Sequence, residues 1–159
     1  RRKNYMENQI KIITTLLEDI LKKMTISGQV EHSKMDGNPI FTIKTREAGI
    51  LIGEDGKHLI ALSHVAKKIV ENRFKRESME DLPFLLDVND YQMKRIEELR
   101  NIARMNAQRV IFFKKEIEME PMTAYDRRIV HSVLGECLDI KTESVGDGLE
   151  RRVVIKPIC

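Results

Sequence analysis

The sequence predicts an α+β protein built from two small domains, residues 1–89 and 90–159, and three observations carry that prediction. A length of 159 residues accommodates one ordinary domain or two small ones. The first 88 residues read in the order helix, strand, strand, helix, helix, strand. After that strand, Asn89-Asp90 restarts a helix, and a second series of helices and strands follows. No internal repeat or low-complexity tract interrupts either half. Two domains of this size each have a thin core.

Each element has its own signal. Met6–Met24 places Ile13, Leu16, Leu17, Ile20, Leu21 and Met24 on one helical stripe, with Lys11, Glu18, Asp19, Lys22 and Lys23 off it. Residues 25–34 and 39–45 read as two strands of a hairpin around the turn residues Asp36-Gly37-Asn38-Pro39. A short helix, 47–52, runs into Gly53-Glu54-Asp55-Gly56. A longer one, 57 to about 74, carries Leu59, Leu62, Ala66, Ile69 and Val70 on its apolar face. Residues 76–83 read as a loop and 84–88 as a third strand. Asn89-Asp90 is positioned to cap a helix from Tyr91 to about Lys114, with Ile96, Leu99, Ala103 and Val110 inward. An extended piece, 116–120, ends at Pro121. Thr123 suits the N-cap of a helix over 124–134, Asp126 suits its dipole, and Gly135 stops it. Residues 138–144 and 150–157 are strands joined through Gly146-Asp147-Gly148.

The net charge of +3 hides two basic blocks. Lys57 to Arg76 holds six cations against Glu71 alone, and Lys94 to Lys115 holds seven against Glu97 and Glu98. Such blocks on a balanced chain mark a local polyanion footprint, or simply solvated helix faces. Aromatics are sparse, five Phe, three Tyr and no Trp, which argues against a stacking platform as the main grip on bases. The two cysteines, Cys137 and Cys159, show no ligand spacing, so the chain predicts reduced thiols, no disulfide framework and no zinc site. His32, His58, His64 and His131 lack partners at metal spacing. No nucleophile motif, phosphate-binding loop or zinc-protease motif is present, so neither cofactor nor catalytic residue is expected. No apolar run reaches the length of a membrane span, and no signal peptide is visible. The start at Arg1-Arg2-Lys3, without Met, reads as a piece of a longer protein.

Two motifs carry the functional reading. The first is Ile52-Gly53-Glu54-Asp55-Gly56-Lys57. Glycines three apart permit a tight turn, and the helix behind them offers free N–H groups to an anion. In its element order this segment resembles a type II KH domain. That resemblance implies a loop clamping the backbone of about four nucleotides. The chain departs from the usual pattern because both inner positions, Glu54 and Asp55, are acidic. A carboxylate 4 Å from a phosphate is unfavourable by about 1 kcal/mol in bulk water.

The second is Arg127-Arg128-Ile129-Val130-His131, in which Arg127 and His131 share a helix face. It is followed by Thr142-Glu143-Ser144, the Gly148 turn and Arg151-Arg152-Val153-Val154-Ile155. The whole run resembles the small nucleic-acid-binding domain named for an arginine and a histidine separated by three residues, the Arg-x3-His domain.

A KH domain followed by an Arg-x3-His domain resembles the bacterial Jag family, also called SpoIIIJ-associated or KhpB-like proteins. The resemblance covers residues 6 to 157, nearly the whole chain. It implies a cytoplasmic, non-enzymatic protein that binds single-stranded RNA, associates with itself or with a second KH protein, and serves post-transcriptional regulation or cell-envelope growth and division. Gly53, Glu54, Asp55, Gly56, Lys57, Lys67 and Lys68 would contact RNA in the first domain. Arg127, Arg128, His131, Arg151 and Arg152 would do so in the second. The rival reading is a protein–protein adapter whose KH domain is a dimerisation scaffold, with RNA incidental. The acidic loop favours it.

Overall fold

A computed structural model describes residues 1–35 and 37–158. Asp36, in the expected hairpin turn, and Cys159 lie outside the described residues. The protein is α+β and divides into two compact units, Arg1–Gln92 and Met93–Cys159.

The first unit contains α1 (Arg2–Lys23), β1 (Gly28–Met35), β2 (Asn38–Thr45), α2 (Ala48–Ile52), α3 (Lys57–Arg76) and β3 (Leu85–Val88). The strands lie in the order β1-β2-β3. β1 and β2 form an antiparallel hairpin that pairs Val30 with Ile43 and His32 with Phe41. β2 and β3 are parallel, with Ile40 beside Leu85 and Ile43 beside Val88. Parallel neighbours need a long crossover, and α2 with α3 supplies it. β2 is the central strand, and Pro39 to Ile43 are all buried, as a strand covered on both faces requires. The core joins Ile13, Leu17 and Leu21 of α1 to Phe41, Leu59, Val70, Phe74, Leu86 and Val88. Each of these side chains contributes roughly 1.5–3 kcal/mol by leaving water. Phe84 meets Phe41 edge to face, with ring centroids 5.4 Å apart.

The second unit contains most of α4 (Tyr91–Phe113), then β4 (Ile117–Glu118), α5 (Ala124–Leu134), β5 (Ile140–Val145) and β6 (Arg152–Pro157). Its sheet has the order β4-β6-β5 and is antiparallel throughout. Ala103, Ala107 and Val110 fall on one side of α4 and pack with Val130, Leu134, Ile140, Val153 and Ile155. The two alanines are small enough to let a neighbouring backbone approach. Thr123 caps α5 as its position predicts, its Oγ1 accepting from the Asp126 N–H at 3.2 Å.

Three expectations need correction. Asn89 and Asp90 do not cap α4 with their side chains. Both occupy the left-handed region, which Asn and Asp tolerate better than most residues. Asn89 brackets Thr45, accepting from its N–H at 3.0 Å and donating to its carbonyl at 2.8 Å, while Asp90 pairs with Lys44 at 2.7 Å. The buried Asp87 instead receives the Gln92 N–H at 2.9 Å. Ile69 is exposed, because the α3 stripe that reaches the core is Leu59, Ala66, Val70 and Phe74. Gly135 ends α5 in a right-handed conformation, without the left-handed cap a glycine stop usually provides. The first helix also begins at Arg2, four residues before the apolar stripe first commits it.

Candidate nucleic-acid interface

In the first unit, the Gly53–Gly56 loop links α2 to α3. Gly53 has φ 70° and Gly56 φ 76°, and between them Asp55 has φ 52°. Both glycines are required by space as well as by angle. A Cβ on Gly53 would collide with the His58 ring, and one on Gly56 would sit 3.1 Å from the Tyr91 ring. His58 holds the loop from behind, its Nδ1 2.8 Å from the carbonyl of Ile50. Glu54 and Asp55 are exposed and form no ion pair among the described residues. Lys57 is exposed at the first turn of α3. Lys67 lies 5.9 Å above the Phe84 ring, and Lys68 pairs with Glu71 at 3.1 Å. The six cations of this block are therefore partly neutralised, since Lys75 shares Glu71 at 2.7 Å and Arg73 pairs with Glu77.

The second unit is arranged differently. Arg127 donates from Nη1 to the carbonyl of Met122 at 2.8 Å. The Met122 N–H in turn donates to the carbonyl of Arg151 at 3.1 Å, which brings the Arg151 backbone beside the Arg127 anchor. Arg151 donates from its own Nη1 to the carbonyl of Gly146 at 2.9 Å. Neither guanidinium has a carboxylate partner among the described residues. A guanidinium carries five donors, so each keeps several free.

His131, one turn along from Arg127, has both ring nitrogens engaged. Nδ1 lies 2.7 Å from Thr142 Oγ1 and Nε2 lies 2.9 Å from Ser144 Oγ. These hydroxyls stand two apart on β5 and so project from the same face of the sheet. A hydroxyl both donates and accepts, so the pair serves the neutral ring and the imidazolium alike. Burial, and then the charge of Arg127, hold the His131 pKa below its ordinary value.

The sheet separates residues that adjoin in sequence. Ser144 faces Val153 across the ladder, and Val145 faces Arg152. Directly paired residues share a face, so Arg152 projects from the face opposite the His131 hydroxyls. There it lies between two carboxylates, 3.5 Å from Glu118 and 3.3 Å from Glu150. Arg128 is exposed on α5 and unpaired among the described residues. The structure thus groups Arg127, His131 and Arg151, places Arg128 next to them, and sets Arg152 apart. Sequence reasoning omitted Thr142 and Ser144 from the site, although their two-residue spacing after the helix was their signal. Among the described residues no group of His, Cys, Asp or Glu side chains is placed to hold a metal ion. No helix is long and apolar enough to cross a membrane.

Residues 97–157 match the family model of the Arg-x3-His domain, so the second unit carries a domain of that family. Along nearly its whole length the chain is similar to proteins named RNA-binding protein KhpB. It is 32% identical over 145 residues to that of Bacillus subtilis, covering 90% of this chain and 66% of the relative. It is 30% identical over 132 residues to that of Clostridium symbiosum, covering 83% of this chain and 58% of the relative. With the Streptococcus pneumoniae protein it shares 29% over 143 residues, 90% of this chain and 41% of the relative. The chain spans about half the length of the curated relatives it matches.

Proposed function

We propose that the chain is a non-enzymatic, cytoplasmic binder of single-stranded RNA and belongs to the bacterial Jag family. In this reading residues 1–89 are a type II KH domain, and post-transcriptional or cell-envelope regulation is the setting. One observation carries the RNA reading. Arg127 and Arg151 are held in place by backbone carbonyls and His131 by hydroxyls, so the cluster is ordered while its charge stays uncompensated. An ordered, uncompensated set of cations suits a polyanion. The names of the relatives support RNA as that polyanion. The KH assignment is supported by the α-β-β-α-α-β order and by a glycine-flanked loop with room only for glycine at both ends.

The test is a titration with single-stranded RNA over about 50–200 mM salt. Three phosphates contacted imply a log–log slope of about 2, at about 0.7 per phosphate. A salt-independent affinity would overturn the reading. The exposed carboxylates of Glu54 and Asp55 favour a second role for the first unit, as a scaffold that holds another KH protein or a second copy.

A further inference from the structure

A hollow of about 220 Å³ lies between α4 and α5 in the second unit, lined by Arg100, Tyr125, Arg128, Ile129, Ser132 and Val133. It is below the roughly 300–1,000 Å³ typical of drug-sized ligand pockets, so it suits a single flat group. Tyr125 and Ile129 are one turn apart on α5, as are Arg128 and Ser132, and together they make one wall. The Tyr125 ring is 50% exposed. No hydrogen bond among the described residues involves its hydroxyl. On the α4 side, Arg100 lies 3.7 Å from Glu97, but Glu97 also faces Arg104 at 3.9 Å. One carboxylate between two guanidiniums leaves net positive charge at that wall. Arg128 on the other wall is unpaired among the described residues.

An aromatic face and two guanidiniums around a shallow hollow suit a group that is flat, π-bearing and attached to an anion. We infer that this hollow is a nucleobase site, in which one base of a single strand stacks on Tyr125 and its phosphate rests on Arg128 and Arg100. The inference rests on the RNA reading above and adds a base-contacting site to its phosphate-contacting cluster. Arg128 adjoins Arg127 in sequence and stands three positions from His131, so a strand seated here crosses α5 directly onto that cluster.

The experiment compares two probes, an oligouridylate of about eight nucleotides, within the usual range of single-strand site sizes, and an abasic ribose-phosphate strand of equal length. Tyr125→Ala should weaken the oligouridylate by about fivefold or more and leave the abasic strand unchanged, because stacking needs a base. Tyr125→Phe should bind like the parent protein. Equal affinity of parent and Tyr125→Ala for the oligouridylate would overturn the base site, as would an equal loss on both probes. Failure of the parent protein to bind either probe is a different result, and it removes the RNA reading itself.

Discussion

The Gly53–Gly56 loop and the Arg127–His131 cluster present opposite combinations of shape and charge. The loop has the backbone of a phosphate clamp, with two glycines fixed by His58 and Tyr91, yet its inner positions are two exposed carboxylates with no ion-pair partner among the described residues. The cluster lacks a glycine-rich cradle, but its cations are held only by neutral partners. Geometry and electrostatics are therefore separable, and for an anionic strand the charge decides. Phosphate contacts supply much of nucleic-acid affinity, and that contribution scales with cations that have no counter-ion of their own. The Lys68–Glu71 and Arg152–Glu118 pairs show what the sequence total hides. A basic residue already matched by a carboxylate adds little to the field a strand would meet.

The sharpest way to break this comparison is Arg127→Ala. Loss of a charge-assisted hydrogen bond to phosphate should weaken RNA binding by about 1–3 kcal/mol. Arg152→Ala is the control, since its exposed pairs are worth only about 0–1 kcal/mol and its charge is already matched. Equal effects of the two substitutions on RNA titration would remove the distinction between the sheet's two faces. Next in size is the loop. Glu54→Lys with Asp55→Arg should tighten binding by about 1 kcal/mol or more if a strand passes there, because it reverses two unfavourable charges. An affinity within twofold of the parent, with the fold intact, would leave the first unit as a scaffold.

The smallest effect is the pH response of His131, and its sign differs with and without RNA. In the free protein the pKa lies below its ordinary value near 6.5. The unfolded chain therefore takes up a proton first as pH falls. This contribution to stability is complete above the unfolded pKa and is lost as pH drops through the folded one. Thermal melting should consequently move down between about pH 7.5 and 5, and less so in His131→Gln. A phosphate beside the ring stabilises the imidazolium, so RNA binding should strengthen over the same interval. Melting curves and titrations at both pH values test the pair. A binding response that follows stability downward would show that the ring only positions α5 against β5.

Much of the fold was legible because its signals are local. The order of elements, the Thr123 cap and the four-residue spacing of Arg127 and His131 all follow from helical and strand periodicity. What escaped depends on contacts distant in sequence. The run Val153-Val154-Ile155 is buried on both faces, so it gives no alternation from which to read which way Arg152 points. Asn89 and Asp90 look like helix caps in isolation, but Thr45 and Lys44, more than forty residues earlier, engage them instead. Sparse aromatics suggested no stacking surface, yet Phe112 and Phe113 are 80% and 63% exposed, and Tyr125 lines a hollow. Composition counts rings without saying where they stand.

The anchoring of Arg127 and Arg151 by carbonyls also bears on speed. An arginine side chain carries about 2 kcal/mol of rotamer entropy, and ordering it is normally a cost of association. Here much of that ordering is completed when the second unit folds, because Met122 and Gly146 hold the two side chains before any strand arrives. On the proposed reading, capture is then limited by diffusion and electrostatic steering, with no delay for side chains to find their places. The cluster should behave as a fast, salt-sensitive landing point for a strand.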